Sequence, residues 1–187
     1  MNKHFQLRRV CEGAIFLAMA QILSYLRLYR FPYGGSVDLS MLPLVVFAVR
    51  WGVVPGLAVG FIHGVLQYVI GNGISISWAS LLGDYVIAYS TLFLAGFFKG
   101  RKASAVKGGL AFCAGRLLVH WVVGATVWKE YMPETFFGMT MTSPWFYSIL
   151  YNGTYMVANA AVLTVTAAIL CRFLKKYMMA EDLKPGR

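Results

Sequence analysis

The sequence predicts an all-α integral membrane protein: a single domain over residues 1–187, built as a bundle of six transmembrane helices with both termini in the cytoplasm. Three observations carry this expectation. The chain is 59% hydrophobic and only 13% charged, against about 25% charged in soluble domains, so it has too little polar surface to stay in water. A spanning helix takes roughly 20 apolar residues, so 187 residues hold five or six spans and short loops with no room for a soluble domain. The basic residues also sort by loop. Lys3, Arg8 and Arg9 precede the first apolar segment, Arg50 sits in the second connection, and Lys99, Arg101, Lys102 and Lys107 fill the fourth. Arg172, Lys175, Lys176, Lys184 and Arg187 follow the last segment, whereas only Arg27, Arg30 and Lys129 fall on the other side and Arg116 lies inside a span. The positive-inside rule then puts both termini in the cytoplasm. A net charge of +10 could suggest nucleic acid, but cations sorted this way do not make a basic face, and no nucleic-acid partner is expected.

The first helix is expected from about Arg9 to Leu28, ending at the Phe31-Pro32-Tyr33-Gly34-Gly35 loop, which cannot extend a helix cheaply. Glu12 within this segment, and the lack of a small-residue cleavage site, argue against a cleaved signal peptide. A short second helix covers about Leu39 to Arg50, and a third runs from about Val53 to Ile70, ending at Gly71-Asn72-Gly73. The fourth is expected over about Trp78 to Phe98, the fifth over about Gly108 to Trp128, and the sixth over about Trp145 to Leu174. Gly52, Gly56, Gly60 and Gly64 recur every four residues, a stripe that lets another helix backbone come close, and packing within the chain is the favoured reading. Ala14 and Ala18 make a smaller version on the first helix. No internal repeat is evident, unlike many secondary transporters, which are built from two related halves. Cys11, Cys113 and Cys171 stand alone in or beside apolar helices and read as packing residues.

In hydrocarbon the informative residues are ionisable, because each must face a partner or a cavity. Asp84, Arg116, His120 and His63 are the candidates, with Tyr85 beside Asp84. An Asp84–Arg116 ion pair is the structural alternative to a ligand site. On the fifth helix Arg116, His120, Gly124 and Trp128 are spaced by four, so they share a face, and Gly124 leaves a gap where a ring could lie. The outer end of the sixth helix offers Tyr147, Tyr151 and Asn152, and the first external loop offers Tyr33. A carboxylate, an imidazole, an amide and aromatic faces suit a small, flat, cationic heteroaromatic molecule. No catalytic set is expected: GxxxxGK[ST], HExxH, GxSxG and CxxC are all absent from the sequence, and two lone histidines do not suggest a metal.

The run Tyr33-Gly-Gly-Ser-Val-Asp-Leu-Ser-Met-Leu-Pro-Leu-Val-Val-Phe-Ala-Val-Arg-Trp-Gly52, followed by Gly56, Gly60 and the Asp84-Tyr85 pair, resembles the thiamine-specific S-components of energy-coupling factor (ECF) transporters. The resemblance extends over nearly the whole chain. It implies an S-component-like bundle of six helices in the cell membrane that binds thiamine from outside, needs no cofactor, and lacks an energy source of its own. It also implies partners: a transmembrane coupling protein bearing two ATPases, met through a small-residue face matched by Ala14 and Ala18. Residue by residue, Asp84, Tyr85, Arg116, His120, Gly124, Trp128, Tyr147 and Asn152 match its binding positions. A tryptophan that caps the site from the first external loop has no counterpart, and Tyr33 stands in that region. Ile74 lies where a tyrosine can occur. The rival readings are an S-component for another vitamin or a thiamine precursor, and a membrane enzyme or scaffold.

Overall fold

The computed structural model describes residues 3–31, 35–71 and 73–183. Helix α1 (Lys3–Tyr25) leads into a small antiparallel hairpin, β1 (Tyr29–Arg30) with β2 (Ser36–Val37), pairing Tyr29 with Val37 and Arg30 with Ser36. Then come α2 (Met41–Trp51), α3 (Val53–Val69), α4 (Trp78–Gly96) and α5 (Ser104–Thr126). A second hairpin, β3 (Thr135–Phe136) with β4 (Met139–Thr140), precedes α6 (Pro144–Phe173) and the short α7 (Lys175–Met178). Among the described residues three helices, α4, α5 and α6, are long and apolar enough to cross a membrane.

Helix α2 forms the centre. It has 11 residues, about 16 Å at 1.5 Å per residue, half of a hydrocarbon core of about 30 Å. All of it except Leu42 is buried, and Leu44, Val45, Phe47 and Val49 join Leu92 of α4, Phe112 of α5 and Met156 of α6 in one core. Length alone therefore does not make α2 a span, which leaves the expected count of six unsupported by helix length. Helix α3 follows at once because Gly52 turns the chain at φ +97°, a backbone state that favours glycine. The outward surface is apolar, with Ile15 and Ile22 on α1, Val54 and Phe61 on α3, and Val157 and Val165 on α6 all exposed, as lipid contact requires.

The glycine stripe packs within the chain. A Cβ on Gly60 would collide with the carbonyl oxygen of Tyr89, and one on Gly64 with that of Tyr85, so α3 and α4 lie backbone against backbone.

Arg50 is not the exposed loop cation that the charge pattern suggests. It is fully buried and reaches Glu12 at 3.1 Å, Asp182 at 3.1 Å and the carbonyl of Tyr177 at 2.6 Å, and its guanidinium carbon lies 3.3 Å from the Tyr177 ring centroid. The Trp51 indole donates to Glu12 at 2.8 Å, and Arg8 bonds both Glu12 and Asp182. Two carboxylates and three donors thus fasten α1, the α2–α3 junction and the segment after α7 together.

Two outcomes follow from this packing. Gly60→Ala should cost about 1–3 kcal/mol of stability by overpacking the α3–α4 contact, whereas Gly153→Ala on α6, with nothing near its Cβ, should be neutral or gain up to about 1 kcal/mol; denaturant titration in detergent reads both. The Asp182 carboxyl is held below its ordinary value, first by the Arg50 hydrogen bond, with burial opposing and Arg8 adding. A lowered value means that its stabilisation is complete above the ordinary carboxylate range and is lost as pH falls through the lowered value. Asp182→Asn should therefore lower the melting temperature at pH 7, with the two proteins converging only as the pH falls through the lowered value, below the ordinary carboxylate range.

Candidate functional site

The sequence anticipates one regular fourth helix, but α4 departs from that at Asp84. It starts with a reciprocal cap between Ser77 and Ser80, then widens into a π-helical stretch over Leu81–Ile87 before returning to α-helix. Such widened turns are rare and often occur at functional sites. Gly83 lies inside this stretch against Val123 of α5, where a Cβ would not fit, so the two helices meet closely beside Asp84.

Asp84 is the hub of the site. One carboxylate oxygen lies 2.9 Å from Nδ1 of His120, and the other accepts the Trp128 indole N–H at 2.8 Å. A carboxylate only accepts, so Nδ1 donates, and a neutral ring presents Nε2 as an acceptor. That Nε2 is buried and has no partner among the described residues. The Asp84 side chain keeps 17% of its surface exposed, and each of its oxygens retains a free lone pair. Trp128 stands just past the end of α5 rather than within it, edge-on to Tyr131 at 5.6 Å.

Helix α6 closes the other wall. Asn152 Nδ2 donates to the carbonyl of His120 at 3.3 Å and to that of Ser148 at 2.9 Å, and its Oδ1 accepts the Tyr155 hydroxyl at 2.6 Å. Tyr147, Tyr151 and Tyr155 follow at intervals of four, the first two stacked at 5.8 Å, with Phe136 of β3 packed on both. The Tyr155 ring lies 6.3 Å from that of His120. The first hairpin is pinned to the same helix: Gly35 N–H donates to the Tyr151 hydroxyl at 3.1 Å, and Asn159 Nδ2 to the Ser36 carbonyl at 2.7 Å. Tyr33 lies outside the described residues.

Three of the expected site residues make contacts that the sequence did not announce. Gly124 leaves no gap for a ring, because Ser148 and Asn152 of α6 fill it; a Cβ there would collide with the Ser148 hydroxyl. Arg116 forms no ion pair with Asp84; its guanidinium carbon sits 4.2 Å from the Tyr89 ring centroid and Nη1 3.1 Å from the sulfur of Met41. Tyr85 turns its hydroxyl to the loop after α3, accepting from Ile74 N–H at 2.7 Å and donating to the Ile74 carbonyl at 3.1 Å. His63 is fully buried, edge-on to Tyr89 at 4.9 Å, with neither ring nitrogen partnered. Ala14 and Ala18 lie exposed on α1, on a face shared with Ile15 and Ile22.

The sequence reading missed Ser148, Tyr155 and Asn159. The four-residue spacing of Tyr147, Tyr151, Tyr155 and Asn159 was the available signal, since it places all four on one face of α6.

The family model described as thiamine transporter protein matches residues 10–179 of this chain. The chain belongs to that family. It is 35% identical over 185 residues to the thiamine transporter ThiT of Bacillus subtilis (strain 168), covering 91% of this chain and 93% of that protein. It is 26% identical over 200 residues to the ThiT of Lacticaseibacillus paracasei, covering 98% and 96%. Among solved structures, ThiT from Listeria monocytogenes superposes with a TM-score of 0.80 at 23% identity, covering 95% of this chain and 99% of that one. The S component of a bacterial ECF transporter superposes at 0.61 with 16% identity, covering 92% and 98%. These two likenesses establish a shared fold. Family membership makes this member of the thiamine transporter family a membrane transport protein rather than an enzyme.

Tyr155→Phe should lower the unfolding free energy of the ligand-free protein by about 1–3 kcal/mol, because it leaves the Asn152 carbonyl buried without a donor; thermal or denaturant unfolding in detergent measures it.

Proposed function

We propose that this protein is the thiamine-binding S-component of an ECF transporter, taking the vitamin from outside the cell at the Asp84–His120–Trp128 site. The observation that carries this reading is the unpartnered, buried Nε2 of His120 beside the Asp84 carboxylate, two acceptors side by side among aromatic rings. Thiamine is a cation made of an aminopyrimidine and a thiazolium ring, so it brings N–H donors, a positive charge and two flat faces. Asp84 supplies the carboxylate contact, and Trp128 stacks on one ring, an attraction of about 2 kcal/mol for a desolvated cation. His120, Tyr147 and Asn152 hydrogen-bond the remainder. Tyr85 holds the neighbouring loop, Gly124 admits α6 to the site and Arg116 stiffens the floor through Tyr89, with Tyr33 as a further ligand contact in this reading.

In this reading six segments cross the bacterial plasma membrane and both termini are cytoplasmic. The sequence contains no nucleotide-binding motif of the form GxxxxGK[ST], so the energy comes from elsewhere. The exposed Ala14–Ala18 face of α1 allows a helix backbone to approach, and it docks on the transmembrane coupling protein that carries two ATPases.

Titration calorimetry on the detergent-solubilised protein, stripped of carried-over vitamin, tests the site. Asp84→Asn should weaken thiamine binding about 10- to 100-fold, as loss of a charged hydrogen bond of about 1.5–3 kcal/mol requires, and Trp128→Ala should weaken it by a similar factor. Unchanged affinity in both variants would place the site elsewhere.

A further inference from the structure

A groove of about 200 Å³ opens at the far end of the bundle from Asp84, between the α4–α5 connection and the C-terminal end of α6. Arg101, Lys102 and Lys175 line it, with Ser104 at one edge and Cys171 and Met178 as an apolar floor. Its walls are tied together, because the Ser104 hydroxyl donates to the Met178 carbonyl at 3.0 Å. Helix α5 begins at this groove without a side-chain cap on its first turn.

Among the described residues none of the three cations forms an ion pair, and Glu12 and Asp182 are engaged by Arg8 and Arg50. The guanidinium carbon of Arg101 lies 5.8 Å from the Phe98 ring centroid. Three like charges around one small groove repel one another, and a bound anion removes that repulsion. The groove lies where three membrane-length helices begin or end, so its charged rim belongs at headgroup depth and its apolar floor toward the acyl chains. Basic pockets in this position suit anionic lipid headgroups.

We propose that this groove binds the phosphate of an anionic phospholipid, held by Arg101, Lys102 and Lys175 with its glycerol region on Cys171 and Met178. A lipid fits better than free phosphate because half of the lining is apolar. The inference rests on membrane placement alone and not on the thiamine site.

Native mass spectrometry and thermal unfolding in detergent, with added phosphatidylglycerol, phosphatidylcholine or inorganic phosphate, test it. Phosphatidylglycerol should remain bound as a single adduct and raise the melting temperature, while phosphatidylcholine and inorganic phosphate should do neither. Arg101→Gln with Lys175→Gln should weaken phosphatidylglycerol binding at least tenfold. The control pair Lys3→Gln with Arg9→Gln makes the same change in net charge and should leave binding intact. Equal loss in both pairs, or equal retention of phosphatidylcholine, would overturn the site, and equal protection by inorganic phosphate would reassign it to a free anion. Lys102→Gln alone gives a milder variant should the pair fail to fold. Thiamine calorimetry on the same variants should be unchanged, which separates failure here from failure of the thiamine reading.

Discussion

The hydrogen bonds between Asp84 and its two donors, His120 and Trp128, hold the candidate site of this bundle together. A carboxylate inside a membrane protein is costly unless its neighbours supply donors, and here they come from two points on α5 and its end, 2.9 and 2.8 Å away. Because each oxygen takes one donor, the group is held in one orientation without being exhausted. The same geometry fixes the imidazole so that its other nitrogen is left bare. Stability and receptivity thus come from one arrangement, and the π-helical stretch of α4 is the local departure that accompanies it.

The rest of the bundle is closely packed around the candidate site. Helix α2, 11 residues long, fills the centre, and α3 and α4 meet backbone to backbone at Gly60 and Gly64. At the other end the fully buried Arg50 closes the base, partnered by Glu12 and by the partly exposed Asp182. Removing one member of such a cluster leaves a buried charge uncompensated, which costs far more than the pair contributes when whole. Helix α6 then links base, wall and mouth: Asn152 reaches α5, and Asn159 with Tyr151 pins the first hairpin beside the site.

Much of this was legible in the sequence. Composition set the solvent, the glycine stripe announced a close helix contact, and the spacing of His120 and Trp128 placed on one face of α5 the two residues that meet Asp84. Asp84, His120 and Asn152 were singled out because ionisable and amide groups are scarce in apolar helices, so each one is informative. Tyr155 and Asn159 were not, since aromatic and amide residues on a helix can equally face lipid headgroups or a neighbour.

The sequence by itself determined the membrane class, the approximate helices and the residue types at the site, because these follow from hydropathy and periodicity, which are properties of neighbours along the chain. Only the tertiary structure decided who meets whom. It sent Arg116 to Tyr89 and Met41 instead of Asp84, filled the space at Gly124 with α6, and buried Arg50 against residues 38 and 132 positions away. Side-chain spacing fixes a face of a helix, but the partner of that face depends on the rotation and tilt of another helix. In this bundle those are set by where glycines permit backbones to touch.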